Sequence, residues 1–448
     1  MSATYDPYEK NRKEIIDMAT MKCTAAGDAM VLRRLPGNYP GFEQLKNFIA
    51  QGDFRFFNLE TTIHNHETYG NAISGGTWFC SPPEVLEDAK EFGFNILTTA
   101  NNHAMDYAHI GFEKTLSYVE KAGFPNAGAG RTLADAAAPV YLDTMAGRIA
   151  LIGACSSFSP MAMAGEQTRT MMGRPGINGI RNSTIYQVSK EDLEHLKRIA
   201  DQIGINGARN ITRKEGYLPP LPEDRSEFGE LQFRVGEPAG KITKVNPVDM
   251  ARMEKSIKEA LYFADYVIVS MHSHQIKYID KTEPDHFYEE FAHKCIDAGA
   301  HAIVGHGPHL LRPIEIYKGC PIFYSLGDFI IQLENIRKAP ADMYEKQKLD
   351  GNEGMDVLFD TRNHHGTRGL CYEKVMFESV IPYWEAEDGK LTKLVLMPIE
   401  LNFDKGRSMG GWPRPKYDDG IIERLAKMSE PYGTKIEIDE NGFGIVKL

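Results

Sequence analysis

The feature that most constrains the fold is a regular alternation of short apolar runs with amphipathic segments. The runs CTAAGDAMV (23–31), FRFFNLETTI (54–63) and RIALIGACSSF (148–158) are apolar and bounded by polar or turn-forming residues, which is typical of buried strands. Segments such as SPPEVLEDAKEFGF and MARMEKSIKEALYFA have helical spacing. Alternation of this kind predicts βαβ units and an α/β fold.

The same reasoning assigns most of the remaining chain. Residues 9–18 have helical spacing, and residues 95–123 predict a strand, a polar loop and a helix that ends at Gly123. DYVIVSMHSH and AHAIVGHGPHL predict strands on either side of a helix in DHFYEEFAHKCIDAG. IEIYKGCPIFYSLGDFI predicts a hairpin with a Lys-Gly turn, followed by a strand at Gly327-Asp328.

Two parts of the chain depart from this alternation. Gly, Pro and Arg become frequent in residues 159–248, where only VSKEDLEHLKRIADQIG predicts a helix and no apolar alternation is strong enough for a separate core. We therefore expect an irregular insertion that acts as a lid over one face of the core. Residues 335–448 predict a C-terminal extension of mixed strands and loops, so residues 1–448 form a single decorated domain.

Composition narrows the class of protein. The chain has 448 residues, of which 42% are hydrophobic and 25% charged, as expected for a globular protein with a large core. A formal net charge of −11 disfavours general binding to nucleic-acid phosphates. Six cysteines lie far apart without a CxxC pair and are expected to be reduced, mostly buried thiols. The sequence has neither a signal-peptide core nor an apolar run long enough for a membrane span, so we expect a cytoplasmic protein without membrane insertion.

Metal-competent side chains follow the predicted core strands. They are Asp28, Asn58, Glu60, Asn101, Asn102, His103, Asp106, His272, His274, His306 and His309. Because the carboxyl ends of strands in α/β sheets form the ligand crevice, we expect these side chains to converge. Carboxylate, amide and imidazole ligands together suit manganese, zinc or iron better than a calcium cage. The sequence therefore predicts one or two divalent metal ions.

Each signal has an ordinary structural explanation when it is taken alone. Asp28 follows a glycine and could belong to a turn, whereas a carboxylate such as Glu60 in an apolar strand must be paired, exposed or bound to a metal. His103 with Asp106 fits either a network at a helix N-terminus or a general acid or base oriented by a carboxylate. The histidines at 272, 274, 306 and 309 could be surface or turn residues. The coincidence of carboxylate, amide and imidazole side chains at five strand ends favours one shared site.

The motifs in these positions resemble a known family. The series GD, NLET, ANNHAMDY, VIVSMHSH and GHGPHLLRPIEIYKGCPIFYSLGDFI covers most of residues 21–331 and is similar to the CapA family, named for poly-γ-glutamate capsule synthesis. That family in turn resembles calcineurin-like metallophosphoesterases. The resemblance implies a four-layer αββα sandwich, in which two packed sheets are flanked by helices and the site lies at one edge.

The resemblance also implies a role for each motif residue. Asp28 and His309 would bind a first metal, and Glu60 would bridge the two metals. Asn102, His272 and His306 would bind the second metal. His103, oriented by Asp106, would donate or accept a proton.

Three positions depart from the family pattern. Met30 stands where the related phosphoesterases have a histidine ligand, so the first metal lacks a ligand. Ser273 and His274 follow His272 in place of Trp-Gly, and His274 could supply the missing ligand, contact substrate or lie on the surface. Asp328 replaces the more usual asparagine after Gly327 and adds a carboxylate. Asn58, His274 and Asp328 are therefore further candidates for contacts with metal or substrate.

Three functions remain open at this point. In the first, an enzyme uses metal-activated water to attack an amide or ester of a peptide or an anionic γ-glutamyl polymer, or uses the same site for peptide epimerisation. The second is phosphoester hydrolysis, which Met30 and Glu60 disfavour. The third is an accessory factor that binds polymer without turnover. Arginine-rich stretches at 169–181 and 209–225 could contact an anionic polymer or be a solvated face.

Overall fold

The computed structural model describes residues 20–417 and 419–448. The helix predicted over residues 9–18 lies outside these residues. Within the described part, strands and helices alternate over most of the chain, so the protein is α/β, as the sequence predicts.

Most strands of the two main sheets are short and buried, which explains their apolar sequences. In chain order the strands are β1 (Met21–Met30), β2 (Phe54–Leu59), β3 (Thr62–Ile63), β4 (Cys80–Ser81), β5 (Ile96–Thr98), β6 (Asn126–Ala127), β7 (Ala129–Gly130), β8 (Val140–Thr144), β9 (Gly147–Cys155), β10 (Gly176–Ile177), β11 (Asn182–Val188), β12 (Arg225–Phe228), β13 (Leu231–Val235), β14 (Gly240–Val245), β15 (Tyr266–His272), β16 (Ile276–Lys277), β17 (Asp280–Pro284), β18 (Ala302–His306), β19 (Ile314–Tyr317), β20 (Cys320–Phe323), β21 (Asp328–Ile331), β22 (Glu378–Glu387), β23 (Lys390–Glu400), β24 (Arg414–Pro415), β25 (Lys435–Ile438) and β26 (Gly444–Lys447).

Most of the amphipathic segments form helices that bury one side, whereas the helix at Gly207–Lys214 has no buried residue. In chain order the α-helices are α1 (Phe42–Ile49), α2 (Val85–Glu91), α3 (Ala108–Lys121), α4 (Leu133–Ala137), α5 (Lys190–Ile203), α6 (Gly207–Lys214), α7 (Pro247–Phe263), α8 (His286–Asp297), α9 (Ala341–Lys346), α10 (Met355–Asn363) and α11 (Asp419–Ser429). Short 3₁₀ turns span Pro160–Ala162, Leu333–Asn335, Leu370–Tyr372, Lys374–Phe377 and Glu430–Tyr432.

Two large sheets organise these elements. The first has the order β25-β26-β23-β22-β1-β2-β5-β6, with β21 beside β1 and β24 beside β23, and its strands β1, β2, β5 and β6 are parallel. The second has the order β19-β20-β18-β15-β9-β8, and its strands β9, β15, β18 and β20 are parallel. The carboxyl ends of each parallel group therefore lie at one edge, where α/β sheets bind ligands.

Alternate side chains of the strands pack in different directions. Phe54 and Phe56 of β2 share an apolar cluster with Ile149 and Leu151 of β9, which belongs to the other large sheet. The intervening positions join clusters with α1, α2 and α3 on the first sheet and with α7 and α8 on the second. Apolar side chains from the two large sheets thus share one cluster, while other strand positions pack against helices, and burial of this apolar surface is the main source of stability.

The predicted hairpin is confirmed. Strands β19 and β20 are antiparallel and are joined by Lys318 and Gly319, both of which have positive φ. The run 54–63 is divided instead of forming one strand. β2 ends at Leu59, and Thr62 then leaves the sheet to pair with Cys80 of β4. This break places Glu60 in the loop between the two strands.

The insertion holds more regular structure than the sequence predicts. The predicted helix is α5, but a second helix, α6, follows it, and residues 182–245 also form a four-stranded sheet in the order β12-β13-β11-β14. The residues of β11 are half-buried or exposed along its whole length, so the period-two pattern that identifies a strand is weak there. The lid role of this insertion stays a prediction.

Two further features of the described residues agree with composition. The five cysteines whose side chains are described, Cys23, Cys80, Cys155, Cys295 and Cys320, are free and buried, as expected. Among residues 20–417 and 419–448, no helix combines the length and the apolar character that a membrane crossing requires.

Candidate metal centre

Strand register brings the predicted side chains together at one edge. Asp28 of β1 lies beside Asn58 of β2 and, on its other side, beside Asp328 of β21. His272 ends β15, and its register partner His306 ends β18. The edges of the two sheets meet here, since Asp28 Oδ1 lies 3.3 Å from His306 Nδ1. The predicted convergence of strand ends is therefore observed.

Close backbone packing fixes the corner that holds Asp28 and Asp328. A Cβ atom on Gly27 would lie 1.7 Å from the carbonyl oxygen of Gly327, so only glycine fits at position 27. Gly327 has a φ of 77°, a conformation that favours glycine. The Asp28 N–H donates to the same carbonyl at 3.2 Å. The two Gly-Asp pairs thus meet backbone to backbone and place two carboxylates side by side.

One group of possible ligands combines Asp28 with two histidines. Asp28, His272 and His306 each offer one ligand atom, and these atoms lie within 4.8 Å of one another. His272 Nδ1 lies 2.9 Å from His306 Nδ1 and 3.6 Å from Asp28 Oδ1. Ser270 Oγ lies 2.7 Å from His306 Nε2 and orients that ring. Two imidazoles and a carboxylate form a suitable set for a transition metal.

A second group contains three carboxylates and one histidine. Asp28, Glu60, His309 and Asp328 also offer ligand atoms within 4.8 Å of one another. Asp328 Oδ1 lies 3.0 Å from His309 Nδ1, while Asp328 Oδ2 is buried without a hydrogen-bond partner among the described residues. Met30 cannot serve as the expected histidine ligand here, but Asp328 lies in the same corner as an additional oxygen donor.

His274 faces the cluster, where it joins a third group with Glu60 and His272. Its Nε2 lies 3.1 Å from His272 Nε2, and His272 Nε2 lies 3.7 Å from Glu60 Oε1. The side chain of Glu60 is 0% exposed, and within the described chain neither of its carboxylate oxygens has a hydrogen-bond partner. Because a buried carboxylate needs compensation, these unpartnered oxygens fit a cation site.

The electrostatics of the corner also fit a cation. Burial, then the charges of Asp28 and Asp328, raises the pKa of Glu60 well above its usual range. Burial raises the pKa of Asp328 to about 6. Burial opposes ionisation of Asp28 as well, but the adjacent imidazoles of His272 and His306 outweigh it and hold its pKa well below the usual range. Burial lowers the pKa of His272 to about 4, which leaves the imidazole neutral and able to bind a metal.

His103 and Asp106 form a rigid pair beside this cluster. His103 Nδ1 lies 2.6 Å from Asp106 Oδ2, and the Asp106 carboxylate also accepts backbone N–H bonds from Gly75 and Phe79, each at 2.8 Å. The ring of Phe79 stacks on that of His103 with centroids 4.1 Å apart. His103 Nε2 is left on the cluster side, 3.9 Å from Glu60 Oε1. This arrangement can hold or move a proton at Nε2.

Three asparagines have distinct places. Asn102 donates to the carbonyl of Gly75 at 2.8 Å, and its Oδ1 is buried without a hydrogen-bond partner among the described residues, as a ligand oxygen would be. Asn58 donates to Asp28 Oδ1 at 2.6 Å and accepts from Asn101 at 3.1 Å. Asn58 is therefore engaged in orienting Asp28. Asn101 also accepts from the His103 N–H at 3.1 Å, so it links the two parts of the site.

Arg312 is a supporting residue that the sequence reasoning did not identify. It is 0% exposed and donates to three backbone carbonyls, those of Ser273, Gln275 and Lys281, at 3.3, 2.9 and 3.0 Å respectively. Burial lowers its pKa to about 10. These bonds hold the loop that contains His274. The only signal for it in the sequence is its place in the GHGPHLLRP motif.

Replacing Arg312 with Met is expected to destabilise the protein by about 1–3 kcal/mol, because three backbone carbonyls lose the donor of a buried side chain while the side-chain volume is kept. The midpoint of urea denaturation, followed by fluorescence, measures the effect. Arg198→Met in the exposed face of α5 is the matched control and should change stability by less than about 0.5 kcal/mol. Equal stability of the two variants would contradict this role of Arg312.

Sequence comparison covers the whole centre. The profile of the family described as "Bacterial capsule synthesis protein PGA_cap" matches residues 22–333, which include every side chain of the centre. The uncharacterized protein y4sH of Sinorhizobium fredii is 34% identical over 460 residues, which cover 99% of this chain and 96% of that protein.

Two relatives with informative names are more distant. The PGA biosynthesis protein CapA of Bacillus subtilis is 24% identical over 360 residues, covering 78% of this chain and 74% of that protein. A protein of Mycobacterium tuberculosis, named probable polyglutamine synthesis accessory protein Rv0574c, is 25% identical over 284 residues, covering 63% and 57%.

Proposed function

The chain belongs to the PGA_cap family of bacterial capsule synthesis proteins, and we propose that it is a metal-dependent enzyme of hydrolase type that acts on amide bonds of peptides or γ-glutamyl chains. The observation that carries the proposal is Glu60. Its carboxylate is fully buried, lies near Asp28, Asp328 and His272, and has no hydrogen-bond partner among the described residues. Such a group is costly to bury unless a cation compensates it.

The proposal also concerns how the sheets and helices are layered. We infer a four-layer αββα sandwich of the metallophosphoesterase type. Its support is that the side chains of the two large sheets share one apolar cluster, while the opposite faces pack against helices. The position of the centre, at the carboxyl ends of parallel strands in both sheets, also supports it.

We propose one or two divalent ions of manganese, zinc or iron. Asp28, Glu60, His309 and Asp328 would hold the first ion, and Glu60, Asn102, His272 and His306 the second, with His274 nearby. A bound ion of this kind polarises a carbonyl group and lowers the pKa of water.

The protein side chains then complete an amide hydrolysis. A bond forms between the water oxygen and the amide carbon as the water gives up a proton to His103 Nε2, the C–N bond then breaks, and the leaving nitrogen gains a proton. His103 is placed to supply that proton from Nε2, because Asp106 fixes its Nδ1 side. Removal of an α-proton by the same imidazole, with delivery of a proton to the opposite face by a water molecule and release of the first proton to solvent, would give epimerisation.

The expected substrate, partners and location rest on the relatives, the net charge and the cysteines. We propose a peptide or an anionic γ-glutamyl polymer as the substrate. The name of the Bacillus subtilis relative, PGA biosynthesis protein CapA, supports this choice. The net charge of −11 disfavours nucleic acid as a partner. We propose a cytoplasmic location, supported by buried free cysteines of the kind found in reducing compartments.

A second candidate function is that of a non-catalytic accessory factor that binds polymer. The Mycobacterium tuberculosis relative is named an accessory protein, which favours this second function. The fixed His103–Asp106 pair favours the enzyme, since binding alone does not require an imidazole held in this way.

Metal analysis combined with a substrate screen tests the enzyme. Purified protein is expected to contain manganese, zinc or iron, and Asp28→Ala and His272→Ala to lose it. His103→Gln should keep the metal but lose about 10²–10⁴-fold in kcat, because only proton transfer is impaired. The screen contains peptides, γ-glutamyl peptides, peptide epimerisation assays and aryl phosphates.

The outcomes separate the candidates. Metal-free protein that gains nothing from added manganese, zinc or iron would contradict the enzyme. Metal-replete protein that binds γ-glutamyl chains without turnover would favour the accessory factor. Turnover of a simple aryl phosphate, abolished by His103→Gln, would instead show a phosphoesterase.

A further inference from the structure

A cavity of about 460 Å³ opens directly beside the metal centre. His103, His274 and His309 of the centre line it on one side. Its volume lies in the range of small-ligand pockets. The remaining walls therefore contact whatever part of a substrate lies next to the reacting bond.

Most of the remaining wall is apolar. Its apolar side chains are Met30, Phe79, Ile276, Pro308, Leu333, Phe359 and Leu370. Phe79 and Phe359 are buried and belong to the main apolar cluster of the first sheet, so this part of the wall is firmly supported. A surface of this kind gains free energy when an apolar side chain covers it.

Cationic side chains also line the cavity. Lys281, Arg362 and Arg368 belong to its lining and are exposed to solvent. Glu334 is the one carboxylate among the described lining residues, and it is engaged by Arg407, whose Nε lies 3.2 Å from Glu334 Oε2. The cavity is therefore locally cationic, although the chain has a net charge of −11.

The C-terminal extension supplies much of this wall. Residues 359–372 form one side, and hydrogen bonds to Glu334 Oε1 from Asn363 Nδ2 at 2.6 Å and from Tyr372 Oη at 3.2 Å tie that side to the 3₁₀ turn at Leu333–Asn335. None of the residues 159–248 lines this cavity. Substrate contacts in this cavity therefore come from residues 333–372, from Lys281 and from core residues such as Phe79, Ile276 and Pro308.

We propose that this cavity binds a peptide segment with an apolar side chain beside a free carboxylate, and that residues 333–372 determine this specificity. The apolar side chain lies against Phe359 and Leu370, and the carboxylate pairs with Arg362 and Arg368, since guanidinium groups bind carboxylates in a bidentate manner. An unbranched γ-glutamyl chain fits less well because it has carboxylates but leaves the apolar wall uncovered. The assignment rests on the proposed function of the adjacent centre.

Calorimetric titration of the purified protein with three probes tests the assignment. The probes are N-acetyl-Ala-Ala-Phe, its C-terminal amide, and the tripeptide γ-Glu-γ-Glu-Glu. The free acid is expected to bind at least about tenfold more tightly than either of the others, as one charge-assisted hydrogen-bonded pair provides. Equal affinity for acid and amide, or tighter binding of the γ-glutamyl peptide, would overturn the assignment.

Variants at the exposed Arg362 and Arg368 and at the half-buried Leu370 show which side chains cause the preference. Arg362→Gln/Arg368→Gln is expected to reduce the acid-to-amide ratio to less than about threefold, and Leu370→Asn to weaken both acid and amide by a similar factor. Arg198→Gln on α5 is the matched control and should change neither value. A ratio that survives in the double variant would overturn the role of the two arginines.

Turnover of the same probes by metal-replete protein separates this assignment from the proposed function. Hydrolysis or epimerisation without preference for the free acid would contradict the assignment alone. A clear acid preference without any turnover would contradict the proposed enzyme and leave the assignment standing.

Discussion

Replacing Glu60 with Gln is expected to abolish tight metal binding and to lower kcat/KM at least about 100-fold, while making the metal-free protein more stable. The loss of metal and of activity follows from the position of Glu60, whose carboxylate lies within reach of both proposed ion sites. The gain in stability of the metal-free protein follows from the surroundings of Glu60. Glu60 is buried beside Asp28 and Asp328, and its oxygens have no hydrogen-bond partner among the described residues.

The substitution is informative because it should raise the free energy of unfolding of metal-free protein but lower that of metal-bound protein. Without a cation, a buried unpaired carboxylate costs several kcal/mol, so the neutral amide should raise the free energy of unfolding of metal-free protein by about 1–3 kcal/mol. With metal present, wild-type protein should be the more stable of the two, since only it gains binding energy. Metal content by mass spectrometry and urea denaturation with and without chelator measure both effects.

Glu113→Gln is the matched control, because Glu113 is an exposed carboxylate on α3. It should leave metal content, activity and stability unchanged within about 0.5 kcal/mol. A Glu60→Gln protein that is less stable than wild type in chelator would contradict the cation-site interpretation and favour a structural role for the carboxylate. Retention of the wild-type metal content would contradict it independently.

The predictability of the fold depends on how strongly each element is patterned. The buried strands β1, β2, β9, β15 and β18 are continuous apolar runs, and their helices have clear amphipathic spacing, so both were predictable from local sequence. The four-stranded sheet of the insertion could not be predicted in this way. Its strand β11 has only half-buried or exposed residues, so that neither a buried run nor a period-two pattern distinguishes it from a loop.

The convergence of the site was predictable from one rule. Parallel strands end at the same edge, and this rule brings Asp28 and Asn58 together in one sheet and His272 and His306 in the other. The meeting of the two sheet edges required the family resemblance, since nothing in the local sequence fixes how two sheets pack.

The supporting residues could not be predicted, because their role depends on packing between distant segments. Ser270 is an ordinary serine in a strand until its hydroxyl is found 2.7 Å from His306 Nε2. Arg312 resembles a surface arginine until its burial against three carbonyls is seen. The cavity wall formed by residues 359–372 lies in a segment of weak pattern for the same reason.

Asp328→Asn is expected to remove one metal ion per chain and to weaken binding at the first site by about 100-fold. The reason lies in the composition of that site. Met30 takes the place of a histidine ligand, and Asp328 contributes a carboxylate oxygen within 4.8 Å of ligand atoms from Asp28, Glu60 and His309. We therefore expect Asp328 to replace the missing histidine, and wild-type protein to bind two ions. Metal titration followed by mass spectrometry gives the stoichiometry and the affinity.

A second substitution tests whether the effect concerns the ligand set. Met30 lines the cavity beside the centre together with His309, so a side chain at position 30 lies near the first site. Met30→His in the Asp328→Asn background should therefore restore the second ion by returning a histidine to the site. Asp388→Asn, at an exposed turn position with a φ of 49° that asparagine tolerates, is the matched control and should keep two ions. If wild-type and Asp328→Asn proteins bind the same number of ions with the same affinity, Asp328 is not a ligand and does not replace the missing histidine.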